Sequence, residues 1–120
     1  MTKRLLALCR QAPYGNALAR EGLEAILAAA AMEQVADILF CGDGVFQLLP
    51  EQLPADIEQK SLQRNLQALP VFGVEQAFIC SKSLAQRGLD IDTLVQGELV
   101  LVPVDDSAAL IASYDSVLSF

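Results

Sequence analysis

The chain has 120 residues, of which 53% are hydrophobic and 19% are charged, so it can build one domain with a full core and is too apolar to be disordered. Eight basic residues against fifteen acidic ones give a net charge of −7, which argues against direct nucleic-acid binding. The chain contains no histidine, and this excludes a Ser-His-Asp triad, a Cys-His nucleophile pair and most zinc sites.

Cysteine spacing and hydropathy indicate the cellular setting. The three cysteines contain no CxxC pair, which is typical of reduced thiols and not of a disulfide framework. No apolar run is long enough to cross a bilayer, and the short apolar stretch near the N-terminus ends at Arg10. We therefore expect a cytoplasmic protein. A mean hydropathy of +0.40 is high for a small monomer, and burial of part of the surface against partner subunits would explain it.

Strand and helix patterns alternate along the chain. In order they are strand 4–9, helix 16–32, strand 35–41, a short apolar helix or turn at 45–49, helix 57–69, strand 75–80, helix 81–87, strand 99–104, helix 107–113 and strand 117–120. This order favours right-handed βαβ crossovers. The sequence therefore predicts a single α/β domain with a five-stranded, mainly parallel sheet and helices on both faces, of the flavodoxin-like kind.

Cys80 is the candidate for chemistry. Ligands of open α/β sheets bind at the carboxyl ends of strands near the point where the strand order reverses, and in the common order this point lies between strands one and three. The loop at residues 11–15 is then expected beside Cys80. Because Cys80 closes the third strand and opens a helix, the helix dipole lowers the pKa of its thiol. Cys80 is either a nucleophilic or sulfur-carrying residue, or a small packing residue.

The other cysteines and the glycine-rich turn have simpler interpretations. Cys9 lies in a strand that is buried on both faces, and we expect it in the core. Cys41 ends the second strand, where it either packs or faces the same crevice as Cys80. The turn Gly42-Asp43-Gly44 can bind an anion or serve only as a tight turn, and it matches neither nucleotide-binding glycine motif.

Four apolar side chains occupy segments where a small domain usually has polar loops: Phe46, Leu48, Leu49 and Phe72. They either cap the core or form an apolar patch for a neighbouring subunit. A stand-alone flavin- or nucleotide-binding module is a further alternative, which fold analogy alone suggests.

Several separated segments carry a family resemblance. They are Pro13-Tyr14-Gly15, Arg20-Glu21-Gly22-Leu23, the run GDGVFQLL at 42–49, Cys80 with its helix through Arg87-Gly88-Leu89, and the closing segment 114–120. Together they resemble the TusC/DsrF-like branch of the DsrE/DsrF family. The resemblance covers essentially the whole chain, and it implies one DsrE/DsrF-like domain over residues 1–120.

The resemblance implies a subunit of a TusBCD-type sulfurtransferase complex, typically a heterohexamer with TusB-like and TusD-like sister subunits. Such a complex takes persulfide sulfur from a TusA-like donor and passes it to a TusE-like acceptor, for 2-thiolation of the wobble uridine of tRNA. A DsrF-type subunit in intracellular sulfur oxidation is the alternative.

The resemblance also bears on catalysis. The family's sulfur-carrying cysteine is attributed to the TusD/DsrE sister, so a non-catalytic, structural subunit is expected here. Cys80 lies at the corresponding strand-to-helix junction, which leaves a persulfide carrier as the alternative. We expect no cofactor, no metal, and no direct contact with nucleic acid or membrane.

Overall fold

The computed structural model describes residues 4–11, 18–32, 35–49, 64, 66–74, 76–94 and 99–120. Its elements in chain order are β1 (Arg4–Cys9), α1 (Leu18–Ala31), β2 (Val35–Phe40), a 3-10 helix (Gly42–Leu48), α2 (helical residues 66–71), β3 (Gln76–Cys80), α3 (Ser81–Gln86), a 3-10 turn (Ile91–Thr93), β4 (Val100–Val104), α4 (Ser107–Ala112) and β5 (Ser116–Ser119). Each predicted strand is found within a residue of its expected bounds. The predicted start of the first helix and most of the helix at 57–69 lie outside the described residues.

The five strands form one sheet in the order β4-β3-β2-β1-β5, and every neighbouring pair is parallel. This confirms the five-stranded α/β fold. The order that we used to place the crevice is wrong, however, because β2 lies between β1 and β3. The chain steps from β1 to β4 in one direction, and β5 then returns to the free side of β1. The strand order therefore reverses between β1 and β5.

Helices α1, α2 and α3 cover one face of the sheet. Alternate strand residues point to this face, and they include Ala7, Cys9, Ile38, Phe40, Ala77 and Ile79. They pack against Leu23 and Ile26 of α1, Leu69 of α2 and Leu84 of α3. Complete burial of such an aliphatic side chain contributes about 1.5–3 kcal/mol to folding. This face is the main core, and the prediction that Cys9 belongs to it is confirmed.

The opposite face is covered by the six-residue helix α4. Leu6, Leu39 and Tyr114 are buried there, with Leu8, Phe78, Leu110 and Ile111 packed around them. Toward the two edges of the sheet the cover is thinner, since Val100 of β4 is 55% exposed and Val117 of β5 is 39% exposed. Along the described part of the chain, no helix has the length and apolar character needed to span a bilayer.

A polar network at the amino-terminal edge holds β5 and α4 against the sheet. The Tyr114 hydroxyl donates a hydrogen bond to Asp37 at 2.5 Å, and the Arg4 guanidinium lies 4.5 Å from the centre of the Tyr114 ring. The main-chain N–H of Arg4 donates to the Asp115 carboxylate at 2.7 Å. Burial, followed by the bond to Asp37 and its charge, raises the pKa of Tyr114 to about 12, although Arg4 acts in the opposite direction.

We expect Tyr114→Phe to lower the free energy of unfolding by about 1–3 kcal/mol at neutral pH, because the Asp37 carboxylate loses a buried donor while the ring is retained. The folded state holds the Tyr114 proton above the ordinary pKa near 10, so this contribution is complete below pH 10 and is lost as the pH rises toward about 12. Urea denaturation of both proteins from neutral to alkaline pH measures it.

Asp37→Asn is the matched control, because it keeps an acceptor oxygen and removes only the charge. It should cost less stability than Tyr114→Phe. Equal stability of the wild-type protein and Tyr114→Phe at neutral pH would show that the network does not hold β5 in place.

Candidate functional site: the thiol edge of the sheet

The three cysteines lie at the carboxyl ends of the neighbouring strands β1, β2 and β3. Cys9 is paired with Phe40, and Phe40 is paired with Ile79, so these three residues share one level and point into the main core. Cys41 and Cys80 each come one residue later, which turns their side chains toward the opposite face. Cys41 is therefore the neighbour of Cys80, in the place where we expected the loop at 11–15, of which only Gln11 is described.

Cys80 is half-buried and surrounded by hydrogen-bond donors. Partial burial raises the pKa of its thiol, but the nearby hydroxyls of Ser107 and Ser83 and the main-chain N–H groups of Ser83 and Lys82, which favour the thiolate, outweigh this effect. The pKa of Cys80 consequently lies below its ordinary value. The donors come from the first turn of α3 and from the start of α4, so two helices stabilise the thiolate.

Ser107 has no other described role in the hydrogen bonding of the fold. Its hydroxyl oxygen is buried and makes no hydrogen bond of standard geometry within the described residues. The helix that it opens is capped by the neighbouring Asp106, which accepts a bond from the N–H of Ala109 at 3.0 Å. The Ser107 hydroxyl is therefore free to interact with the sulfur of Cys80.

The other two thiols are in less favourable surroundings for ionisation. Burial, and then the charge of Cys41, raise the pKa of Cys9 to about 12. Burial, and then the charge of Cys80, also raise the pKa of Cys41, while Arg10 and Arg87 act in the opposite direction. Of the three thiols, Cys80 is the one whose pKa is lowered, so it ionises most readily.

The turn after β2 is fixed by its glycines. Gly42 has a φ of +54°, a left-handed conformation that favours glycine. A Cβ at Gly44 would lie 1.9 Å from the carbonyl oxygen of Cys9, so no larger residue fits between the turn and the end of β1. Both glycines are thus required by the backbone. Asp43, which lies between them, forms a 3.0 Å ion pair with Arg87.

The four apolar interface candidates divide between core and surface. Leu48 is completely buried and belongs to the core, and Leu49 packs against the same cluster. Phe46 is half-buried, with the Arg87 guanidinium 6.0 Å from its ring centre. Phe72 is 48% exposed and remains available to a partner.

The arrangement suits thiol chemistry better than metal chemistry. Within the described residues, no group of three or more cysteine or acidic side chains could hold a metal ion. A half-buried thiolate held by several donors can attack a sulfur electrophile and can leave again as a stable anion.

Sequence reasoning proposed Cys80 as a candidate but did not predict the donors around it. Ser83 follows the helix-capping cysteine by three residues, and this Cys-x-x-Ser spacing at a strand-to-helix junction was an available signal. Ser107 lies on another element, and only the fold brings it to Cys80.

We expect Ser83→Ala to raise the pKa of Cys80, because the thiolate loses a hydroxyl donor. The pH midpoint of Cys80 alkylation by iodoacetamide should move upward, and alkylation at neutral pH should become slower. Peptide mass spectrometry assigns the modified thiol. Ser81→Ala is the matched control, since it removes a hydroxyl from the same helical turn without removing one of the donors to Cys80. A midpoint that stays in place in Ser83→Ala would contradict this account of the thiol.

Comparison with known proteins gives the family. The family model described as the DsrE/DsrF-like family matches residues 3–120. The chain is 42% identical to the Protein TusC homolog of Pseudomonas aeruginosa strain PAO1, with 99% of each chain covered, and 36% identical to Protein TusC of Escherichia coli strain Crooks, with 98% of this chain and 99% of the other covered.

A solved structure supports the fold. The crystal structure of the YchN protein of Escherichia coli superposes with a TM-score of 0.80 at 23% identity, covering 99% of this chain and all of the other. At that identity the likeness concerns the fold alone. The match of the family model and the two full-length relatives establish that this chain belongs to the DsrE/DsrF-like family.

Proposed function

We propose that this chain is a cytoplasmic subunit of a sulfur-relay complex that supplies sulfur for 2-thiolation of the tRNA wobble uridine. The observation that carries the proposal is the nearly full-length similarity to two TusC proteins. Its partners are TusB-like and TusD-like sister subunits in a heterohexamer, with a TusA-like donor and a TusE-like acceptor. The net charge of −7 fits a protein that passes sulfur to other proteins and does not itself bind tRNA.

An exposed apolar patch supports a role inside an assembly. Its members end or follow a helix, or begin a strand, at the amino-terminal edge of the sheet, and we call them the amino-edge patch: Met32 (74% exposed), Val71 (80%), Phe72 (48%) and Val100 (55%). Several exposed large apolar side chains along one edge of a sheet are typical of protein–protein contacts. The patch lies across the sheet from the thiols, so a sister subunit bound there leaves the cysteines accessible.

We expect this chain to co-purify with TusB-like and TusD-like subunits in a complex whose obligate contacts bury more than about 2,000 Å². Phe72→Asp should lower the recovery of the sisters about tenfold or more, because a charge is buried where an aromatic side chain packed. Recovery after affinity purification of the co-expressed subunits measures the effect. In a strain that lacks this chain, the same variant should restore less wobble 2-thiouridine than the wild-type protein.

Gln67→Asp is the control, since it places the same charge on an exposed polar position of α2. A wild-type chain that stays monomeric beside its sisters would contradict the proposal. Normal 2-thiouridine in the deletion strain, together with impaired sulfur oxidation, would instead favour the DsrF-type alternative.

A second candidate function is that Cys80 itself carries persulfide sulfur, and the donors around its thiolate favour it. Exposure to glutathione persulfide should add about 32 Da, the mass of one sulfur atom, to Cys80. Intact-mass and peptide mass spectrometry locate the adduct. Cys80→Ser should lose it, and Cys9→Ala should keep it because Cys9 is completely buried. Undiminished sulfur relay by a complex that contains Cys80→Ser would leave the chain with the structural role alone.

A further inference from the structure

We propose that Cys41 is the resolving thiol for a persulfide on Cys80: it attacks the inner sulfur, closes a Cys41–Cys80 disulfide and releases hydrogen sulfide. This inference rests on the second candidate function, in which Cys80 accepts persulfide sulfur. It gives the chain a way to discharge sulfur that no acceptor has taken.

The sheet register brings the two thiols together. Phe40 and Ile79 are paired neighbours on β2 and β3, and the next residues are Cys41 and Cys80. Both cysteines keep an extended backbone, with φ and ψ of −144° and 167° at Cys41 and −70° and 114° at Cys80. Neighbouring strands lie about 4.8 Å apart. That spacing falls within the Cα separation of about 4.4–6.8 Å that disulfides span.

A hydrogen bond ties the segment that carries Cys41 to the helix that begins after Cys80. The N–H of Gly42, which belongs to the peptide bond after Cys41, donates to the Ser83 hydroxyl oxygen at 2.9 Å. The same hydroxyl donates toward the Cys80 sulfur. Ser83 is nearly completely buried, so its position is fixed by packing. One side chain thus links the backbone beside Cys41 to the sulfur of Cys80.

The surroundings of Cys41 and Cys80 shift the pKa values of the two thiols in opposite directions and so give them different roles. The charge of Cys80 raises the pKa of Cys41, so the two sulfurs are within electrostatic reach and do not readily ionise together. Because the pKa of Cys80 is lowered and that of Cys41 is raised, Cys80 is the more readily ionised thiol and the one that reacts first with a sulfur donor. Arg10 and Arg87 favour the Cys41 thiolate and limit its rise in pKa. Cys41 therefore stays protonated more readily than Cys80 and can react in the second step, after Cys80 has accepted sulfur.

The step balances without an added oxidant. Cys80 carries –S–SH and Cys41 carries –SH before the reaction, and the products are one Cys80–S–S–Cys41 bond and one H₂S. The S–S bond of the persulfide breaks as the new S–S bond forms. The outer sulfur is reduced to sulfide, and the two cysteine sulfurs end at the disulfide level. The Cys41 proton leaves with the sulfide.

The test compares the wild-type protein, Cys41→Ser and Cys80→Ser after a short exposure to glutathione persulfide. In the wild-type protein the adduct of about 32 Da on Cys80 should be short-lived, and it should give way to a disulfide-linked chain about 2 Da lighter than the untreated protein, with release of one sulfide per chain. Cys41→Ser should instead retain about 32 Da on Cys80 and release sulfide at least about tenfold more slowly, since a serine hydroxyl is a poor nucleophile. Non-reducing peptide mapping identifies the linked pair, and a sulfide electrode follows the release.

The outcomes separate the two ideas. A stable adduct on Cys80 in both the wild-type protein and Cys41→Ser would overturn the resolving role and leave the carrier function intact. If Cys41→Ser gained no adduct on Cys80 and the wild-type protein formed no Cys41–Cys80 disulfide, the carrier function would be rejected and, with it, this inference. Cys41→Ala repeats the measurement without a hydroxyl, and Cys9→Ala should behave like the wild-type protein.

Discussion

The segment from Cys41 to Gly44 is held between the ends of two strands, and the chemistry of the molecule depends on that fit. The Cys41 N–H donates to the Cys9 carbonyl at 3.0 Å, and Gly44 packs so closely on the same carbonyl that a Cβ cannot be accommodated. On the other side, the Gly42 N–H donates to Ser83 in α3. These contacts let the chain leave β2 without moving away from β1 or β3. Cys41 consequently stays level with Cys80.

That placement gives three identical side chains three different properties. Cys9 points into the main core, where desolvation keeps it protonated. Cys41 is half-buried between two other thiols, and two arginines offset part of the cost of its charge. Cys80 has hydroxyl and N–H donors on the side where its charge would develop. Reactivity is therefore set by the number of donors at each strand end and not by the residue type.

The sequence was sufficient to predict the strands and helices, but it was insufficient to predict the order of the strands in the sheet. The apolar runs of β1 and β2 and the turn residues after them identify strands, because strands buried by helices on both faces have few polar positions. The order of the strands depends on whether β3 joins the sheet beside β1 or beside β2, and the apolar patterns of these strands contain no such information. Cys80 was identifiable from its position at a helix start. Its position beside Cys41 depends on strand order, and its position beside the Ser107 hydroxyl depends on the packing of α4.

The parallel sheet also makes the two proposed roles, scaffold and site of sulfur chemistry, compatible within one small chain. In such a sheet all strands begin at one edge and end at the other, so the amino-edge patch and the thiols are necessarily far apart in the fold. In the proposed complex, a sister subunit over Phe72 would remove apolar surface from water without excluding a sulfur donor from Cys80. A persulfide on an accessible Cys80 would also be open to side reactions when no acceptor is bound, because a persulfide reacts with any thiol that reaches it. In the proposed resolving step, Cys41 at the end of the adjacent strand reacts with the persulfide first, so the disulfide forms within the same chain.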